Sequence, residues 1–183
     1  MNRGRHFQFI EGRVLKLGDH IDTDLIYPGK YVPLVDPGQW ARHALEGIDP
    51  GFPGRIKSND VIVAGRNFGC GSSRSQAVSC LKYAGIGAVV AVSFARIFFR
   101  NAINQGLPVI ECPEANEAVD EGETIRISLQ EGFIERQGRR LEFEPLPDFL
   151  MDVILEGGLV PFTKNFLMRQ KGAEGQGRGF HLC

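Results

Sequence analysis

The sequence has no excess of charge of either sign, because 21 lysines and arginines stand against 22 aspartates and glutamates. A balance of this kind gives no electrostatic attraction to nucleic acid or to an anionic membrane surface. No apolar run approaches the roughly 18 residues that a membrane-spanning helix needs, and the N-terminal segment has no apolar signal region. We therefore expect a soluble, cytoplasmic protein that binds neither nucleic acid nor a membrane.

Clustered cysteines are also missing from the sequence. The four cysteines, Cys70, Cys80, Cys112 and Cys183, are far apart and include no CxxC pair. Iron–sulfur clusters and zinc sites use closely spaced ligand sets, and scattered cysteines in a cytosolic chain are expected to be reduced thiols. The sequence thus predicts that this chain holds no metal.

The most informative segment runs from residue 61 to residue 83, and it lacks the marks of three common motifs. It has no lysine for a P-loop, no third glycine for a dinucleotide fingerprint after Gly69 and Gly71, and no GxSxG nucleophile elbow. An apolar run, predicted to be a buried strand, instead leads into a glycine-rich turn and then a predicted helix. Nucleotide binding through these motifs is therefore not predicted.

Two hydroxyl groups and a guanidinium group follow this turn at Ser72, Ser73 and Arg74. We expect them at the start of the helix, where free backbone N–H groups and the helix dipole favour an anion. Arginine binds a carboxylate through two parallel hydrogen bonds, so the turn predicts a site for a carboxylate or a phosphate. The turn alone equally fits a tight strand-to-helix connection with a serine cap.

Continuous apolar runs alternate with helical segments along the chain. This order predicts an α/β fold with a mainly parallel sheet covered on both faces, together with short antiparallel strands near the C-terminus. We expect a domain over residues 1–168 and a flexible glycine-rich tail over 169–183. The predicted strands are 8–17, 60–64, 88–92, 108–111, 124–129, 133–137 and 140–143, and the predicted helices are 37–46, 73–83, 94–105 and 147–156.

Two longer segments resemble a known family. GRNFGCGSSRSQAV, from residue 65, and the segment 84–110 resemble the small subunits of the aconitase superfamily. The closest resemblance is to 3-isopropylmalate dehydratase and the archaeal-type homoaconitase. GDHIDTDLIYPGKYV, from residue 18, resembles the Asp-Thr-Asp segment of the same family. The resemblance covers about residues 10–168 and implies the swivel-type β/β/α domain of aconitase.

The resemblance implies a hydro-lyase that acts together with a large subunit. Enzymes of this family move a hydroxyl group between adjacent carbons of a 2-hydroxy acid by dehydration and rehydration. A [4Fe–4S] cluster, expected in the partner large subunit, acts as the Lewis acid. By motif, Ser72 is the catalytic base, and Ser73 and Arg74 contact a substrate carboxylate. An alkoxide at Ser72 needs surroundings that favour negative charge, which the turn at Gly69 and Gly71 is expected to supply.

The same resemblance implies a supporting role for Asp22, Thr23 and Asp24. On the residues alone, Asp-Thr-Asp in a loop is a turn former. In the family this segment lines the active-site cleft at the subunit interface, so we expect it to shape the site, with the aspartates orienting Arg74 or groups of the partner.

The sequence departs from the family pattern at two places, and one of them bears on the substrate. The loop after the Asp-Thr-Asp segment reads Tyr31-Val32-Pro33-Leu34, where isopropylmalate enzymes often have Tyr-Leu-Arg. An uncharged loop favours a substrate with an alkyl group over one with a third carboxylate, since a buried unpaired carboxylate is costly. The second departure is Ser75, which stands where the family usually has glutamate.

Three functions remain open on the sequence. The leading hypothesis is the small subunit of a 3-isopropylmalate dehydratase, which acts on a small 2-hydroxy dicarboxylate. The second is the same chemistry on dimethylmalate, methylmalate or homoaconitate. The third is a stand-alone module that binds small anions without catalysis. We expect the chain alone to be inactive and to be open to self-association when its partner is absent.

Overall fold

The computed structural model describes residues 9–175, and it describes the side chains of residues 9–170. Seven strands form one sheet in the order β4-β3-β2-β1-β5-β6-β7. The strands are β1 (Phe9–Lys16), β2 (Val61–Ala64), β3 (Ala88–Ala91), β4 (Val109–Glu111), β5 (Thr124–Ser128), β6 (Phe133–Arg136) and β7 (Arg139–Glu142).

The sheet is half parallel and half antiparallel. Strands β1 to β4 pair in parallel, whereas β1, β5, β6 and β7 pair in antiparallel fashion on the other side of β1. Strands β2 and β3 are buried along their whole length, which matches their continuous apolar sequence. The predicted parallel strands and the predicted short antiparallel strands therefore belong to a single mixed sheet.

Seven α-helices and two short 3-10 turns connect the strands in the described part of the chain. The α-helices are α1 (Thr23–Ile26), α2 (Pro37–Ala41), α3 (Gln76–Tyr83), α4 (Arg96–Gln105), α5 (Pro113–Ala118), α6 (Asp148–Leu155) and α7 (Leu159–Gly175), and the 3-10 turns are Gly29–Tyr31 and Pro53–Arg55.

The structure corrects the predicted start of α3. The helix begins at Gln76, so the prediction that it begins at Ser73 or Arg74 is wrong. Ser75 occupies the N-cap position without a side-chain capping bond. The reason is tertiary, because Arg74 pairs with the carboxylate of Asp24 on α1 and this segment continues as a loop before α3 begins.

The C-terminal part of the described chain is more helical than predicted. Helix α7 extends through Gly175, so regular structure continues past the predicted domain boundary at residue 168. The remaining residues of the predicted tail, 176–183, lie outside the described residues, and the flexibility of the tail stays a prediction. Among the described residues, no helix is long and apolar enough to cross a bilayer.

The fold places two loops side by side at one edge of the sheet. Strands β1 and β2 are parallel neighbours, so the loops that follow them leave the sheet at the same edge. In open α/β sheets, ligands bind in the crevice outside the carboxyl ends of the strands. The predicted site residues lie on these two loops.

Candidate functional site

Backbone hydrogen bonds join the loop after β1 to the loop after β2. The Gly65 N–H donates to the Gly18 carbonyl at 3.1 Å, and the His20 N–H donates to the Arg66 carbonyl at 2.8 Å. Farther along, the Gly69 N–H donates to the Ile21 carbonyl at 2.7 Å. The two loops therefore form one rigid unit, although their sequences are almost fifty residues apart.

The glycines at positions 69 and 71 allow this close approach. Gly69 has a φ of +76°, and a Cβ at this position would lie 2.2 Å from Cγ of Phe98. Gly71 has a φ of +97°, and a Cβ there would lie 3.1 Å from Oγ1 of Thr23. Both residues combine a left-handed backbone with a crowded neighbour, which favours glycine. The predicted shaping role of these glycines thus has a steric basis.

Ser72 is held by the buried hydroxyl group of Thr23. The Ser72 N–H donates to Thr23 Oγ1 at 3.0 Å, and the two hydroxyl oxygens are 3.0 Å apart. Thr23 is only 1% exposed, and its own N–H donates to the Cys70 carbonyl at 2.8 Å. The position of Ser72 is therefore fixed by a side chain that the core holds in place.

Asp22 organises the start of α1. Its Oδ1 accepts the N–H groups of Asp24 and Leu25 at 2.8 and 2.9 Å, which makes Asp22 a side-chain N-cap. Thr23 is the first residue of this helix. The first aspartate of the Asp-Thr-Asp segment therefore fixes the backbone that presents Thr23 to Ser72.

Arg74 and Asp24 form a two-point ion pair across the loops. Nη1 donates to Oδ1 at 2.5 Å and Nη2 donates to Oδ2 at 3.1 Å. Nη1 also donates to the Tyr27 carbonyl at 3.3 Å, and the Gly29 N–H donates to Asp24 Oδ1 at 3.1 Å. The hydrogen bond from Arg74 lowers the pKa of Asp24 below its ordinary value, so the pair is ionised at neutral pH.

The surface around Ser72 is open. Gly71, Ser72 and Ser73 are exposed, and Arg74 is partly exposed. The carbonyl of Ser73 lies 3.5 Å from the side-chain amide nitrogen of Asn101, on α4. The site therefore consists of an exposed hydroxyl group and a partly exposed guanidinium group on a rigid base.

The predicted substrate-selecting loop, 31–34, follows a glycine that lies beside Arg74. A Cβ added at Gly29 would lie 3.4 Å from both terminal nitrogens of Arg74. Tyr31 closes the 3-10 turn that starts there, and the next residues, Val32 and Pro33, are exposed. The structure thus brings Gly29, two residues before this loop, to the guanidinium group and leaves the apolar middle of the loop on the surface.

The described cysteines differ in exposure. Cys80 and Cys112 are buried, and burial raises the pKa of both thiols. Cys70 is partly exposed. Within residues 9–170, no three His, Cys, Asp or Glu side chains come together as a metal-ligand set. The described residues therefore do not fit an iron–sulfur cluster, which needs several thiolates at one place.

Sequence reasoning missed several polar groups next to the site. Asn101, the Tyr27 carbonyl and Glu46 all contact predicted site residues. Tyr27 and Asn101 lie inside the two segments that resemble the family but were not singled out there, and Glu46 lies outside both segments. Each of the three reaches the site through the tertiary fold. A search for polar residues at the carboxyl edge of the sheet is the one signal that points to such groups.

The chain matches known proteins over most of its length. The sequence pattern of the aconitase C-terminal domain family matches residues 52–115. The 3-isopropylmalate dehydratase small subunit 1 of Methanopyrus kandleri is 52% identical, over 85% of this chain and 92% of that protein. The isopropylmalate/citramalate isomerase small subunit of Methanocaldococcus jannaschii is 48% identical, over 85% of this chain and 94% of that protein.

A solved structure has the same fold. The crystal structure of 3-isopropylmalate dehydratase from Methanocaldococcus jannaschii superposes with a TM-score of 0.86 at 43% identity. The match covers 91% of this chain and 99% of the solved chain. The predicted α/β fold class is thereby confirmed.

Proposed function

Because this chain belongs to the family of 3-isopropylmalate dehydratase small subunits, we propose that it pairs with a large subunit to interconvert 2-isopropylmalate and 3-isopropylmalate. The reaction removes water from one isomer and adds it back with the hydroxyl group on the neighbouring carbon. We assign to this chain the base and a carboxylate contact. Two side chains held in place on the joined loops carry the proposal. Ser72 is hydrogen-bonded to Thr23, and Arg74 is paired with Asp24.

The base is Ser72, and Thr23 supports its charged form. Thr23 Oγ1 already accepts the Ser72 N–H, so the hydrogen of the Thr23 hydroxyl group can be donated to Ser72 Oγ, 3.0 Å away. A donor fixed at this position stabilises negative charge on Oγ, because hydrogen bonds to an ionised oxygen are about twice as strong as neutral ones. The Ser72 alkoxide would take the proton from the substrate carbon next to a carboxylate.

The guanidinium group of Arg74 keeps one bidentate edge for a substrate carboxylate. Asp24 occupies the edge formed by Nη1 and Nη2, and the Tyr27 carbonyl accepts a further hydrogen from Nη1. Within the described residues, the Nε–H and the second Nη2 hydrogen have no acceptor. These two hydrogens lie parallel on the side edge, which matches the spacing of two carboxylate oxygens. Ser73, which is exposed and directly precedes Arg74 in the chain, is the second proposed contact.

The residues after Tyr31 support an alkyl-substituted substrate. Val32, Pro33 and Leu34 carry no charge, and the first two are exposed a few residues after Gly29, which lies beside Arg74. A third carboxylate placed against this surface would lose hydration without gaining a cation. The name of the Methanocaldococcus relative includes citramalate, which carries a methyl group where 2-isopropylmalate carries its isopropyl group. Citramalate is therefore the second candidate substrate.

The [4Fe–4S] cluster of the family is proposed to belong to the large subunit. The thiols of this chain do not gather into a ligand set within the described residues, and two of them are buried. When bound in the partner, the cluster supplies Lewis-acid chemistry at the hydroxyl group that leaves. The residues of this chain bind, orient and deprotonate the substrate.

The test is anaerobic reconstitution with the large subunit, followed by turnover of 2-isopropylmalate and citramalate. Removal of the base by Ser72→Ala should lower kcat by about 10²–10⁴-fold, the range typical of a general base. Thr23→Val should lower kcat by about 10-fold, the equivalent of one hydrogen bond of about 1.4 kcal/mol, and Thr23→Ser should restore it. Full activity of Ser72→Ala would reject the assigned base, and an inactive wild-type complex would reject the function.

A further inference from the structure

Glu46 gathers three hydrogen-bond donors although it belongs to no motif. Its Oε1 accepts from Tyr31 Oη at 2.7 Å and lies 3.2 Å from Lys30 Nζ, while its Oε2 lies 2.5 Å from His43 Nδ1. The side chain is only 17% exposed. Burial opposes ionisation, but the bonds from His43, Tyr31 and Lys30 together lower the pKa of Glu46 below its ordinary value. Glu46 is therefore an ionised group surrounded by donors.

These donors fix the ring of Tyr31. The ring stacks on the imidazole of His43, with centroids 3.5 Å apart and planes 14° apart. Lys30 Nζ lies 4.7 Å from the centroid of the tyrosine ring. The carbonyl of Tyr31 accepts from Tyr27 Oη at 2.8 Å, and Tyr27 is fully buried. Both the side chain and the backbone of Tyr31 are therefore anchored.

The other end of the loop has its own anchor. Trp40 Nε1 donates to the Leu34 carbonyl at 2.8 Å. Between the two anchors lie Val32, which is 38% exposed, and Pro33, which is also exposed. A short segment that is fixed at both ends keeps its exposed apolar residues in one place without help from a partner chain.

We propose that Glu46 is a positioning residue, which holds the loop Tyr31–Leu34 in the conformation that selects an alkyl-substituted substrate. Glu46 does not touch the substrate. It acts through Tyr31, and the loop that it holds begins two residues after Gly29, which lies beside Arg74. The selectivity part of this inference rests on the proposed function, whereas the anchoring of the loop does not.

The anchoring is tested on the isolated full chain by fluorescence. Trp40 is the only tryptophan of the sequence, and its indole N–H reports on the end of the loop. Glu46→Ala should raise the acrylamide quenching constant and shift the emission to the red, and Tyr31→Phe should do the same to a smaller extent. Glu117→Ala, an exposed glutamate on α5, is the control and should change neither.

The selectivity is tested in the reconstituted complex with two malates, one with an alkyl group and one with a third carboxylate. Glu46→Ala should raise KM for the alkyl substrate and reduce the preference between the two by about 10-fold, the usual worth of one small apolar contact. Glu46→Gln, which keeps an acceptor for Tyr31, should recover part of the preference. The kcat for the alkyl substrate should stay within about twofold of wild type, because Glu46 contacts no reacting atom.

The outcomes separate this inference from the proposed function. A wild-type complex that turns over neither malate rejects the proposed function, and the fluorescence result still decides whether Glu46 anchors the loop. An active complex in which Glu46→Ala keeps its preference overturns the positioning role. If Glu46→Ala does not fold, the Tyr31→Phe variant tests the anchoring instead, because it removes the hydroxyl group that donates to Glu46. Unchanged quenching in Tyr31→Phe then overturns the anchoring.

Discussion

Replacement of Asp24 by asparagine tests how Arg74 is oriented. In the native chain, both carboxylate oxygens accept from the guanidinium group, and Oδ1 also accepts the Gly29 N–H. Asparagine keeps the oxygen that faces Nη1 and Gly29. Its NH₂ group then faces Nη2, so that two donors meet and one bond is lost together with the charge. The guanidinium group keeps a neutral acceptor but loses the two-point clamp.

The size of the effect follows from exposure. A hydrogen bond to a charged group contributes about 1.5–3 kcal/mol when it is shielded from water. The side chain of Asp24 is 61% exposed and that of Arg74 is 25% exposed, so the low end of this range applies. A loss of about 1.4 kcal/mol in orienting Arg74 corresponds to about a 10-fold fall in kcat/KM. The free energy of unfolding should change by less than about 1 kcal/mol, as for other surface ion pairs.

The chain contains a matched control for this substitution. Asp49 and Arg55 also form an ion pair, at 2.6 Å, and Asp49 Oδ1 accepts the Gly51 N–H as Asp24 Oδ1 accepts that of Gly29. Steady-state kinetics of the reconstituted complex should show the 10-fold loss for Asp24→Asn and none for Asp49→Asn. Equal kcat/KM values for Asp24→Asn and wild type, or an equal fall in both variants, would refute the orienting role.

Two further predictions concern stability in urea. Gly69→Ala should lower the free energy of unfolding by about 2–5 kcal/mol, because it adds a clash with Phe98 to a left-handed backbone. Gly122→Ala, with a similar φ of +78° and open space around it, should lower it by about 1–2 kcal/mol, and equal losses would argue against the clash. The hydrogen bond from Arg136 lowers the pKa of Glu123 in the folded chain. The ion pair therefore stabilises the fold fully at pH values above the ordinary glutamate pKa. This stabilisation is lost as the pH falls through the lowered pKa. The stability difference between wild type and Arg136→Gln should therefore shrink between about pH 5 and pH 3, and a constant difference would contradict this assignment.

The strands could be predicted from the sequence more closely than the helix ends. Buried parallel strands have continuous apolar sequences, and the predicted 60–64 and 88–92 correspond to Val61–Ala64 and Ala88–Ala91. Helix α7 was missed because its large apolar residues are confined to its first ten positions and the rest is polar, alanine or glycine, and most of its described side chains are exposed. The start of α3 was wrong because the pair between Arg74 and Asp24, 50 residues apart, decides where the loop ends.

The site was predictable where a motif contains it. Ser72 and Arg74 stand out in the sequence, and the structure brings them to Thr23 and Asp24, although their catalytic roles stay predictions. Glu46 was not predictable. It contacts Tyr31, 15 residues earlier, because the segment that contains α2 folds back on the chain, and a lone glutamate outside any motif gives no local signal.

The exposure of Ser72 predicts that the chain alone cannot take a proton from carbon. A serine hydroxyl group ionises far above neutral pH. In the isolated chain Ser72 is an exposed residue, so the one donor at Thr23 adds little to what water already provides. The same donor has a larger effect once a partner covers the site and excludes water. We therefore expect the isolated chain to give no exchange of deuterium into 3-isopropylmalate by NMR, and the reconstituted complex to give exchange that Ser72→Ala abolishes. Exchange by the isolated chain would mean that Ser72 is activated without a partner, and the argument from exposure would be wrong.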